Sequence, residues 1–532
     1  MRIALFACVL LLAAYCAEGQ PLNVVIDSTR GSNSPSEPCI AIDPKNPNNL
    51  IAGANTRNVY RSVDGGYTWT RALLSSTYGV FGDPVIFADT TGSFYYFHLS
   101  NNSAIFTWPD WCDRIVCQRL DDVAAGSWSN GSYAGLAPTP SMQDKPWVAV
   151  NRQTNELYVT WTRFDEYGTT DPTDSSNIFF SKSADKGETW SPAVRLNKVA
   201  GDCVDDDFTV EGAVPAVGKN GELFVAWDAK NEILFDRSYD NGATWQHEDI
   251  KAADMPSGWA YDIPGINRCN GLSFIACDLS NSAYAGTLYI NWSDQRNGPD
   301  NTDVWLCRST DSGSTWSAPV KVNDDGGSRH QFMSSMTVDP SNGFIYVLFY
   351  DRRNYTDSLA TDVYLALSKD GGVTFENHKI SQAPFYPRAN EFFGDYTYIS
   401  AFNSVVRPVW GTTQAIGAGP ANQKIMTAII GEDIIHTSVD PLANYVMDLK
   451  AYPNPLSTVT NFSYVLAKAA EVTLAVTDVA GRTIAIVQNE AATPGRHTLA
   501  FDAGSYNMAP GLYFATLKTM EYSQTIKLQV NN

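Results

Sequence analysis

Seven segments of the chain share one hydrophobic pattern, in which an apolar run, a turn and a second apolar run follow one another. They are Cys39–Ala52, Pro84–Phe97, Pro146–Trp161, Ala213–Trp227, Leu272–Trp292, Phe332–Tyr350 and Tyr396–Trp410. Short apolar runs bounded by turn residues predict buried strands, so each segment predicts an antiparallel hairpin. Frequent Gly and Pro, with only 18% charged residues, agree with a chain of strands and turns. We therefore expect an all-β protein with few helices.

A second pattern, Ser-x-Asp-x-Gly-x-Thr-aromatic, occurs five times. The copies are Ser62–Trp69, Ser183–Trp190, Ser238–Trp245, Ser309–Trp316 and Ser368–Phe375. An Asp carboxylate can accept backbone N–H groups two residues on, and Gly adopts positive φ, so each copy predicts a tight turn between two strands. The aromatic residue is expected to anchor the hairpin by its burial. The Asp residues of these turns are predicted to be structural: Asp64, Asp185, Asp240, Asp311 and Asp370.

The repeated phrase resembles the Asp-box, or BNR repeat, of the sialidase-like β-propellers. With a degenerate copy at Leu120–Trp128, the spacing is about 60 residues, which suits a four-stranded propeller blade. We expect a propeller over residues 20–440 with seven blades; six blades, as in the sialidases, is the alternative. Leu22–Asp27 is predicted to pair behind Lys424–Ile430 in the last blade and so close the ring.

The two ends of the chain predict export. Residues 1–19 read as a secretory signal, with Arg2, the apolar run Ile3–Cys16 and the small-x-small site Ala17-Glu18-Gly19. Residues 441–532 resemble the C-terminal sorting domain of the type IX secretion system, a small β-sandwich. The motifs that carry this resemblance are Tyr452–Pro455, Asp478–Arg482, Gly511–Leu517 and Lys527–Val530. The resemblance implies passage through the type IX machinery to the medium or the outer cell surface; a β-sandwich binding module is the alternative.

The net charge of the chain disfavours one class of partner. A net charge of −20 disfavours a nucleic-acid partner, which needs a basic surface, and the mature chain is expected to have no transmembrane segment.

Seven Cys follow the signal. Cys112 with Cys117, and Cys269 with Cys277, are near enough in sequence to pair; the pairing stays open. We expect no metal or other cofactor, because no Cys or His cluster has metal-site spacing. A structural calcium ion, held by ring carboxylates with Asp205-Asp206-Asp207, is the alternative.

Aligning the hairpins predicts two rings of charged residues on one rim. A polar residue precedes the first strand of each hairpin: Glu37, Asp83, Asp144, Glu211, Asn270, Gln331 and Asp395. A basic residue follows the second strand in five of them: Arg57, Arg163, Lys230, Arg296 and Arg352. The start of one strand lies beside the end of its hairpin partner, so both rings are expected at the same end of the hairpins. Salt bridges within and between blades are the structural alternative to a binding site.

The resemblance to sialidases implies roles for part of these rings. Glu211 would activate Tyr396 as the nucleophile, and Asp83 or Asp144 would be the acid/base. Arg296 and Arg352 would hold the substrate carboxylate, because guanidinium groups grip carboxylates in a bidentate manner. Arg57, Arg163 and Asp395 are the further candidates for substrate contact.

The leading hypothesis is therefore a secreted sialidase-like glycoside hydrolase that removes terminal sugars, acidic ones included. The first alternative is a non-catalytic propeller that binds a glycan or a protein at the cell surface. It is supported by Ser36-Glu37-Pro38-Cys39, which stands where sialidases have the first Arg of their substrate-binding triad. The second alternative is a lyase of uronate polysaccharides.

Overall fold

In a computed structural model of the protein, the chain forms two compact units, Met1–Ile435 and His436–Asn532. The structure describes residues 21–29, 34–100, 112–356, 359–413, 423–431, 434, 446–466, 470–493, 495–519 and 523–531. The predicted secretory signal lies outside these residues. Nearly all regular structure in the described part is strand, which confirms the all-β expectation.

The strands of the first unit are, in chain order, β1 (Leu22–Asp27), β2 (Cys39–Ile42), β3 (Leu50–Ala54), β4 (Asn58–Ser62), β5 (Thr70–Leu73), β6 (Gly82–Ala88), β7 (Phe94–Ser100), β8 (Arg114–Leu120), β9 (Ser132–Ala134), β10 (Met142–Val150), β11 (Leu157–Phe164), β12 (Ser176–Ser183), β13 (Val194–Arg195), β14 (Val210–Val217), β15 (Leu223–Ala229), β16 (Glu232–Ser238), β17 (Ile250–Asp254), β18 (Ala260–Tyr261), β19 (Cys269–Asn270), β20 (Phe274–Cys277), β21 (Leu288–Asp294), β22 (Asp303–Ser309), β23 (Val320–Lys321), β24 (Gln331–Val338), β25 (Ile345–Asp351), β26 (Asp362–Ser368), β27 (Glu376–Lys379), β28 (Tyr398–Phe402), β29 (Val405–Thr413) and β30 (Gln423–Ile429).

Within the described residues, these strands form seven four-stranded antiparallel sheets and one two-stranded sheet, β18 with β19. Six of the large sheets follow chain order: β2 to β5, β6 to β9, β10 to β13, β14 to β17, β20 to β23 and β24 to β27. The seventh has the order β28, β29, β30, β1, because the N-terminal strand pairs with β30 and Leu22 lies opposite Ile429. This pairing is the closure that the sequence predicts. Each predicted hairpin forms the first two strands of one large sheet.

The first strands of the seven large sheets contact one another in a closed ring. The ring runs β2, β6, β10, β14, β20, β24, β28 and back to β2. Every residue of β2 and of β14 is buried, which explains why these strands are almost entirely apolar. A cavity of about 140 Å³ lies among these strands, lined by apolar residues that include Trp147, Phe274 and Tyr398.

The five copies of the repeated phrase form the same hydrogen-bonded turn between the third and fourth strands of a sheet. In each copy the Thr hydroxyl donates to the Asp carboxylate, at distances from 2.5 to 2.7 Å. In each copy the Ser hydroxyl accepts from the Gly N–H, at 2.8 to 2.9 Å. These bonds lower the pKa of Asp185 to about 2, although its slight burial alone would raise it. The five Asp side chains therefore act as turn residues, as predicted.

The same turns also pack against the preceding sheet. The Trp245 ring lies 5.0 Å from Phe180, and the Trp316 ring lies 5.3 Å from Phe235. Gly313 has φ of +82°, and a Cβ placed on it would lie 2.2 Å from the Phe235 ring. A side chain here is excluded by backbone strain and by the neighbouring ring, so the pattern requires Gly.

The second unit has two sheets that share one core. Its strands are β31 (Val446–Tyr452), β32 (Val459–Leu466), β33 (Ala470–Asp478), β34 (Thr483–Ala492), β35 (Gly495–Asp502), β36 (Gly511–Lys518) and β37 (Ser523–Val530), with a 3₁₀ helix at Ala503–Tyr506. One sheet has the order β31, β32, β35 and the other β34, β33, β36, β37. Phe462 of the first sheet and Leu517 of the second are fully buried in the same apolar cluster, which gives a small β-sandwich.

All seven described cysteines are buried and free. Neither of the pairings left open above, Cys112 with Cys117 or Cys269 with Cys277, is formed. Burial raises the pKa of their thiols; for Cys277 the value is about 12, so these groups are protonated and act as small apolar side chains.

Candidate functional site

The entrances to three neighbouring first strands share an unusual backbone conformation. Glu37, Asp83 and Lys145 have φ of +50°, +49° and +46°, and each directly precedes a proline. At Asp83 and Lys145 the pairing register with the second strand also shifts, as in a β-bulge. Positive φ at a residue other than Gly costs about 1–3 kcal/mol and is concentrated at functional sites, where it sets the direction of a side chain.

A carboxylate at the entrance to the seventh sheet holds two cations. The Asp395 carboxylate accepts from Lys145 Nζ at 2.8 Å and from Arg268 Nε at 2.9 Å, and Arg268 Nη2 also donates to it. Asp395 is only 1% exposed. Burial by itself would raise the pKa of Asp395, but the charges and hydrogen bonds of Lys145 and Arg268 outweigh burial and hold the pKa at about 2. Asp395 is therefore ionised and is the anionic centre of the site.

Glu37 joins the first sheet to the same centre. Its Oε1 accepts from the backbone N–H of Asp395 at 3.1 Å, and its Oε2 accepts from the Asn55 side chain. Asn55 Oδ1 in turn accepts from the N–H of Asp83 at 2.7 Å. Burial raises the pKa of Glu37 well above its usual value, and the charges of Asp83 and Asp395 raise it further.

Three more carboxylates have raised pKa values at this end of the ring. Burial, followed by the charge of Asp144, raises the pKa of Asp83 to about 7. Burial also raises the pKa of Asp144, while Lys145 opposes the shift. Glu211 is fully buried, and neither carboxylate oxygen has a hydrogen-bond partner among the described residues. Burial and the charge of Asp205 raise the pKa of Glu211, although Lys145 Nζ lies 4.0 Å from its Oε1.

The outer side of the site is formed by Arg268 and the loop before β14. Arg268 Nη1 donates to Asp205 Oδ2 at 3.0 Å, and the Tyr167 hydroxyl donates to the same oxygen. The Arg268 side chain is 41% exposed, and its guanidinium lies 5.5 Å from the Phe392 ring. Arg268 thus connects the buried Asp395 with the surface.

We call this group of side chains the Asp395 cluster. It contains Glu37, Asp83, Asp144, Lys145, Asp205, Glu211, Arg268 and Asp395. Six carboxylates face two cations, and burial brings the negative charges close in a poorly solvated place. Burial and mutual repulsion therefore raise the pKa values of four of the carboxyls, Glu37, Asp83, Asp144 and Glu211, while the two cations keep Asp395 ionised. Such a group can donate a proton from one carboxyl and offer negative charge at another.

The predicted ring of polar residues is largely brought together, although its members do not share one register: Glu37 and Asp83 take the backbone position of Lys145, one residue after that of Asp144. Asn270 belongs to it, since its side chain donates to the Asp395 carbonyl at 3.0 Å. Gln331 does not: it donates to Asp351 at 3.2 Å and accepts from Asn323. The bulge at the start of β24 places Met333, with φ of +48°, where Lys145 stands in β10. Gln331 is therefore one residue out of register with Asp144, and its side chain turns away.

The predicted Tyr396–Glu211 pair is not joined by a hydrogen bond in this structure. The Tyr396 hydroxyl and both Glu211 carboxylate oxygens have no hydrogen-bond partner in the described part of the chain, so they do not bond to each other. Tyr396 packs its ring against Trp147, with the centroids 5.5 Å apart. Burial raises the pKa of Tyr396 well above its usual value, and the charges of Asp83 and Glu37 raise it further. The hydrogen bond that activation of this phenol by Glu211 would need is therefore not formed here, and the catalytic role of the pair stays a prediction.

The predicted arginine ring does not converge on the cluster either. The Arg163 guanidinium lies 3.9 Å from the Phe179 ring. Arg296 pairs with Asp294 at 2.6 Å, and Arg57 is exposed. Arg352 is 3% exposed and donates to Thr361 and to the Pro264 carbonyl, while burial lowers its pKa to about 10.

The physical reason is the two-residue period of a strand. Arg163 lies opposite Gln143, whereas Thr162 lies opposite Asp144. Successive side chains point to opposite faces, so the side chain of Arg163 lies on the other face from that of Asp144. The cations that do reach the cluster, Lys145 and Arg268, were missed by sequence reasoning. The signal for Lys145 was the shared position before proline, Glu37-Pro38, Asp83-Pro84 and Lys145-Pro146; no comparable sequence signal marked Arg268.

Metal binding has little geometric support. The ranges that the structure describes contain no group of three or more His, Cys, Asp or Glu side chains placed to hold a metal ion. The calcium alternative stays an untested prediction.

Comparison with known proteins identifies the C-terminal region. Residues 450–531 match the family described as the secretion system C-terminal sorting domain. The chain carries a sorting domain. This match covers most of the second unit and none of the first. No helix in the described ranges is long and apolar enough to span a membrane.

The chain also has more distant relatives. A curated xyloglucanase from a Paenibacillus species is 24% identical over 335 residues, which cover 62% of this chain. The chain spans 28% of that relative's length. Among solved structures, a family PL25 ulvan lyase is 12% identical, with 77% of this chain and 96% of that chain covered and a TM-score of 0.47. The NanB sialidase of Streptococcus pneumoniae is 10% identical, with 72% and 84% covered and a TM-score of 0.42.

Proposed function

We propose that this protein is an exported glycoside hydrolase and that the Asp395 cluster contacts the bond to be cut. The observation that carries the proposal is a set of neighbouring carboxyl groups whose pKa values are driven apart. The pKa of Asp395 is about 2 and that of Asp83 is about 7. A carboxyl that stays protonated beside ionised carboxylates is the arrangement that supplies the general acid of glycoside hydrolysis.

The role of each carboxyl group in the reaction follows from its protonation state and its neighbours. Asp83 is protonated below about pH 7 and can donate its proton to the oxygen of the leaving sugar. Asp144 exerts the largest charge effect on Asp83 and is the second carboxylate, which stabilises the positive charge that develops on the sugar ring or activates water. Lys145 and Arg268 hold Asp395 ionised and fix the cluster. Asp395 is thus a positioning group rather than a substrate contact.

The substrate class we propose is a neutral glycan. Six carboxylates around two cations that are already engaged would repel a sialic acid or a uronate, so a sialidase or uronate-lyase activity is disfavoured. The curated relative is named a xyloglucanase, which makes xyloglucan the first polymer to test.

We also propose that the seven large sheets are the blades of a single β-propeller. The closed ring of first strands and the pairing of β1 with β30 support this arrangement. The sorting domain supports export through the type IX system to the cell surface or the medium.

The test is the release of reducing ends by purified protein from xyloglucan, with neutral β-glucan, polyuronate and sialoside as comparisons. Asp83→Asn and Asp144→Asn should each lower kcat by about 10²-fold or more, since this is the usual contribution of general acid–base catalysis. Asp300→Asn is the matched control, because it makes the same chemical change at an exposed carboxylate that is not part of the cluster. Cleavage of sialoside or polyuronate in preference to every neutral glycan would contradict the proposal.

A second function, glycan binding without cleavage, is favoured by the enclosure of the cluster. Glu211, Asp395 and Glu37 are 0%, 1% and 2% exposed, which leaves little room for a sugar to approach them. Retention of the protein on a polysaccharide column without any product would select this function.

A further inference from the structure

A groove lies between the segment after the third sheet and the fourth sheet, and Val210 at the start of β14 belongs to its lining. It encloses about 340 Å³ between the segment that follows β13 and the edge of the sheet β14 to β17. This volume is at the lower end of the range for small-molecule sites. We call it the Phe208 groove; its lining includes Lys198, Val199, Phe208, Lys230, Leu234 and Asp249.

The groove exposes apolar groups that a folded chain would normally bury. Phe208 is 58% exposed and Val199 is 59% exposed. Leu234, half-buried in β16, adds to the same wall. Exposed apolar side chains that line one concavity, rather than being scattered singly, indicate a binding surface.

The groove also contains an unused hydrogen-bond acceptor. The Asp249 side chain is 7% exposed, and its Oδ2 accepts from the backbone N–H of Lys198 at 2.8 Å. Its Oδ1 has no hydrogen-bond partner among the described residues. Lys198 Nζ lies 3.8 Å from Oδ1, which is too long for a hydrogen bond, and donates to Asp236 instead. A buried acceptor without a donor is costly, so a ligand hydroxyl at this place would be favourable.

One loop connects the groove to the Asp395 cluster. The loop from Asp202 to Thr209 carries Asp205, which pairs with Arg268 at 3.0 Å, and Phe208, which lines the groove. Internal bonds hold this loop: the Asp202 N–H donates to the Phe208 carbonyl at 3.1 Å, and the Thr209 hydroxyl donates to Asp202 at 3.0 Å. Phe208 and Asp205 therefore lie three residues apart in one internally bonded loop.

We propose that the Phe208 groove is a second sugar subsite, which holds a neutral sugar unit of a polysaccharide whose scissile bond lies at the Asp395 cluster. This inference rests on the proposed function. The C–H face of the sugar ring packs on the Phe208 ring, and a sugar hydroxyl donates to Asp249 Oδ1. The exposed Lys230, whose backbone has φ of +58°, supplies a donor to a second sugar oxygen. A polymer that occupies both places would be cut within its length rather than from an end.

The subsite is tested with Phe208→Ala, Phe208→Tyr and the control Tyr239→Ala. Tyr239 is an exposed aromatic residue of similar exposure, 60%, in the turn at the end of β16. The readouts are the Kd for polymeric xyloglucan in the Asp83→Asn background, and KM and kcat for the polymer and for its single-repeat oligosaccharide in the active protein.

We expect Phe208→Ala to weaken polymer binding about tenfold, equivalent to the loss of about 1.4 kcal/mol. Its effect on the single-repeat oligosaccharide should be less than twofold, and Phe208→Tyr should restore polymer binding. Equal effects of Phe208→Ala and Tyr239→Ala would overturn the subsite, while polymer cleavage by the unaltered protein would leave the proposed function intact. If the unaltered protein neither cleaves nor binds any neutral glycan, both proposals fail.

Discussion

Lys145 Nζ lies 2.8 Å from Asp395 Oδ2 and joins residues that are 250 positions apart in the chain. Lys145 stands in the third large sheet, and Asp395 stands just before the seventh. The contact therefore crosses the ring of first strands, which the pairing of β1 with β30 closes elsewhere. The charged cluster thus joins the third and the seventh of the large sheets across the ring.

Asp395→Asn should destabilise the first unit by about 3–5 kcal/mol, because it leaves Lys145 and Arg268 without their buried counter-charge. The measurement is urea unfolding followed by tryptophan fluorescence. All 14 tryptophans of the chain lie at or before Trp410, so the signal reports the first unit alone. The exposed Arg57→Ala variant is the control and should change little.

The destabilisation caused by Asp395→Asn should change with pH in one defined direction. The folded pKa of Asp395 is about 2, below the value of about 3.9 for an unfolded Asp. The contribution of ionised Asp395 to the free energy of unfolding is therefore complete above about pH 4 and is lost as the pH falls towards 2. The difference between Asp395→Asn and the unaltered protein should shrink over that range; a difference that stays constant would contradict the assignment.

Asp83→Asn should have the opposite pH dependence. The folded pKa of Asp83 is about 7, above its unfolded value, so the folded state favours the protonated carboxyl. The free energy of unfolding of the unaltered protein then falls as the pH rises from about 4 to about 7. Asn does not titrate, so the variant should gain up to about 4 kcal/mol relative to the unaltered protein between pH 4 and pH 8, since each of about three pK units corresponds to about 1.4 kcal/mol.

The control for this measurement is Asp300→Asn, which removes an exposed carboxylate. It should show the pH profile of the unaltered protein. If Asp83→Asn also keeps that profile, the raised pKa of Asp83 is wrong and its role as the proton donor loses its basis.

The sequence predicts the sheets well because their pattern is local. The alternation of apolar runs and turns identifies all seven first hairpins. The apolar run Leu22–Asp27, which belongs to none of these hairpins, identifies the closing strand. The role of Asp in the five turns is also predicted, because Ser, Asp, Gly and Thr form hydrogen bonds with one another within a few residues. These contacts need no knowledge of distant parts of the chain.

The site is less predictable because side-chain direction depends on bulges. A shift of one residue separates Gln331 from the cluster and places the side chain of Arg163 on the opposite face from that of Asp144. Arg268 reaches Asp395 from the two-stranded insertion β18 with β19, which belongs to no repeated unit. Aligning repeats therefore finds the carboxylates but misses their cations.

Ser183→Ala should destabilise the first unit although the side chain is remote from the cluster. The Ser183 hydroxyl accepts from the buried N–H of Gly187 at 2.9 Å and donates to Asp185 at 2.7 Å. Its removal leaves a buried donor unsatisfied, which costs about 1–3 kcal/mol. Thr189→Ala removes an exposed bond to the same Asp and should cost less than about 1 kcal/mol. Urea unfolding that ranks the two variants in the reverse order would contradict this account of the turn.

Tyr396→Phe should leave glycan cleavage unchanged within about threefold, because its hydroxyl bonds neither to Glu211 nor to another described group. Removing a buried, unsatisfied hydroxyl should also leave stability unchanged or raise it by about 1–2 kcal/mol. Tyr350→Phe is the contrasting control, since the Tyr350 hydroxyl donates to the Gly411 carbonyl at 2.8 Å and its loss should destabilise the protein. A nucleophilic Tyr396 would instead lose about 10⁴-fold or more in kcat, as other enzymes do without their nucleophile. Measuring kcat of the two variants on the same substrate therefore separates acid–base catalysis by the Asp395 cluster from a tyrosine-based mechanism.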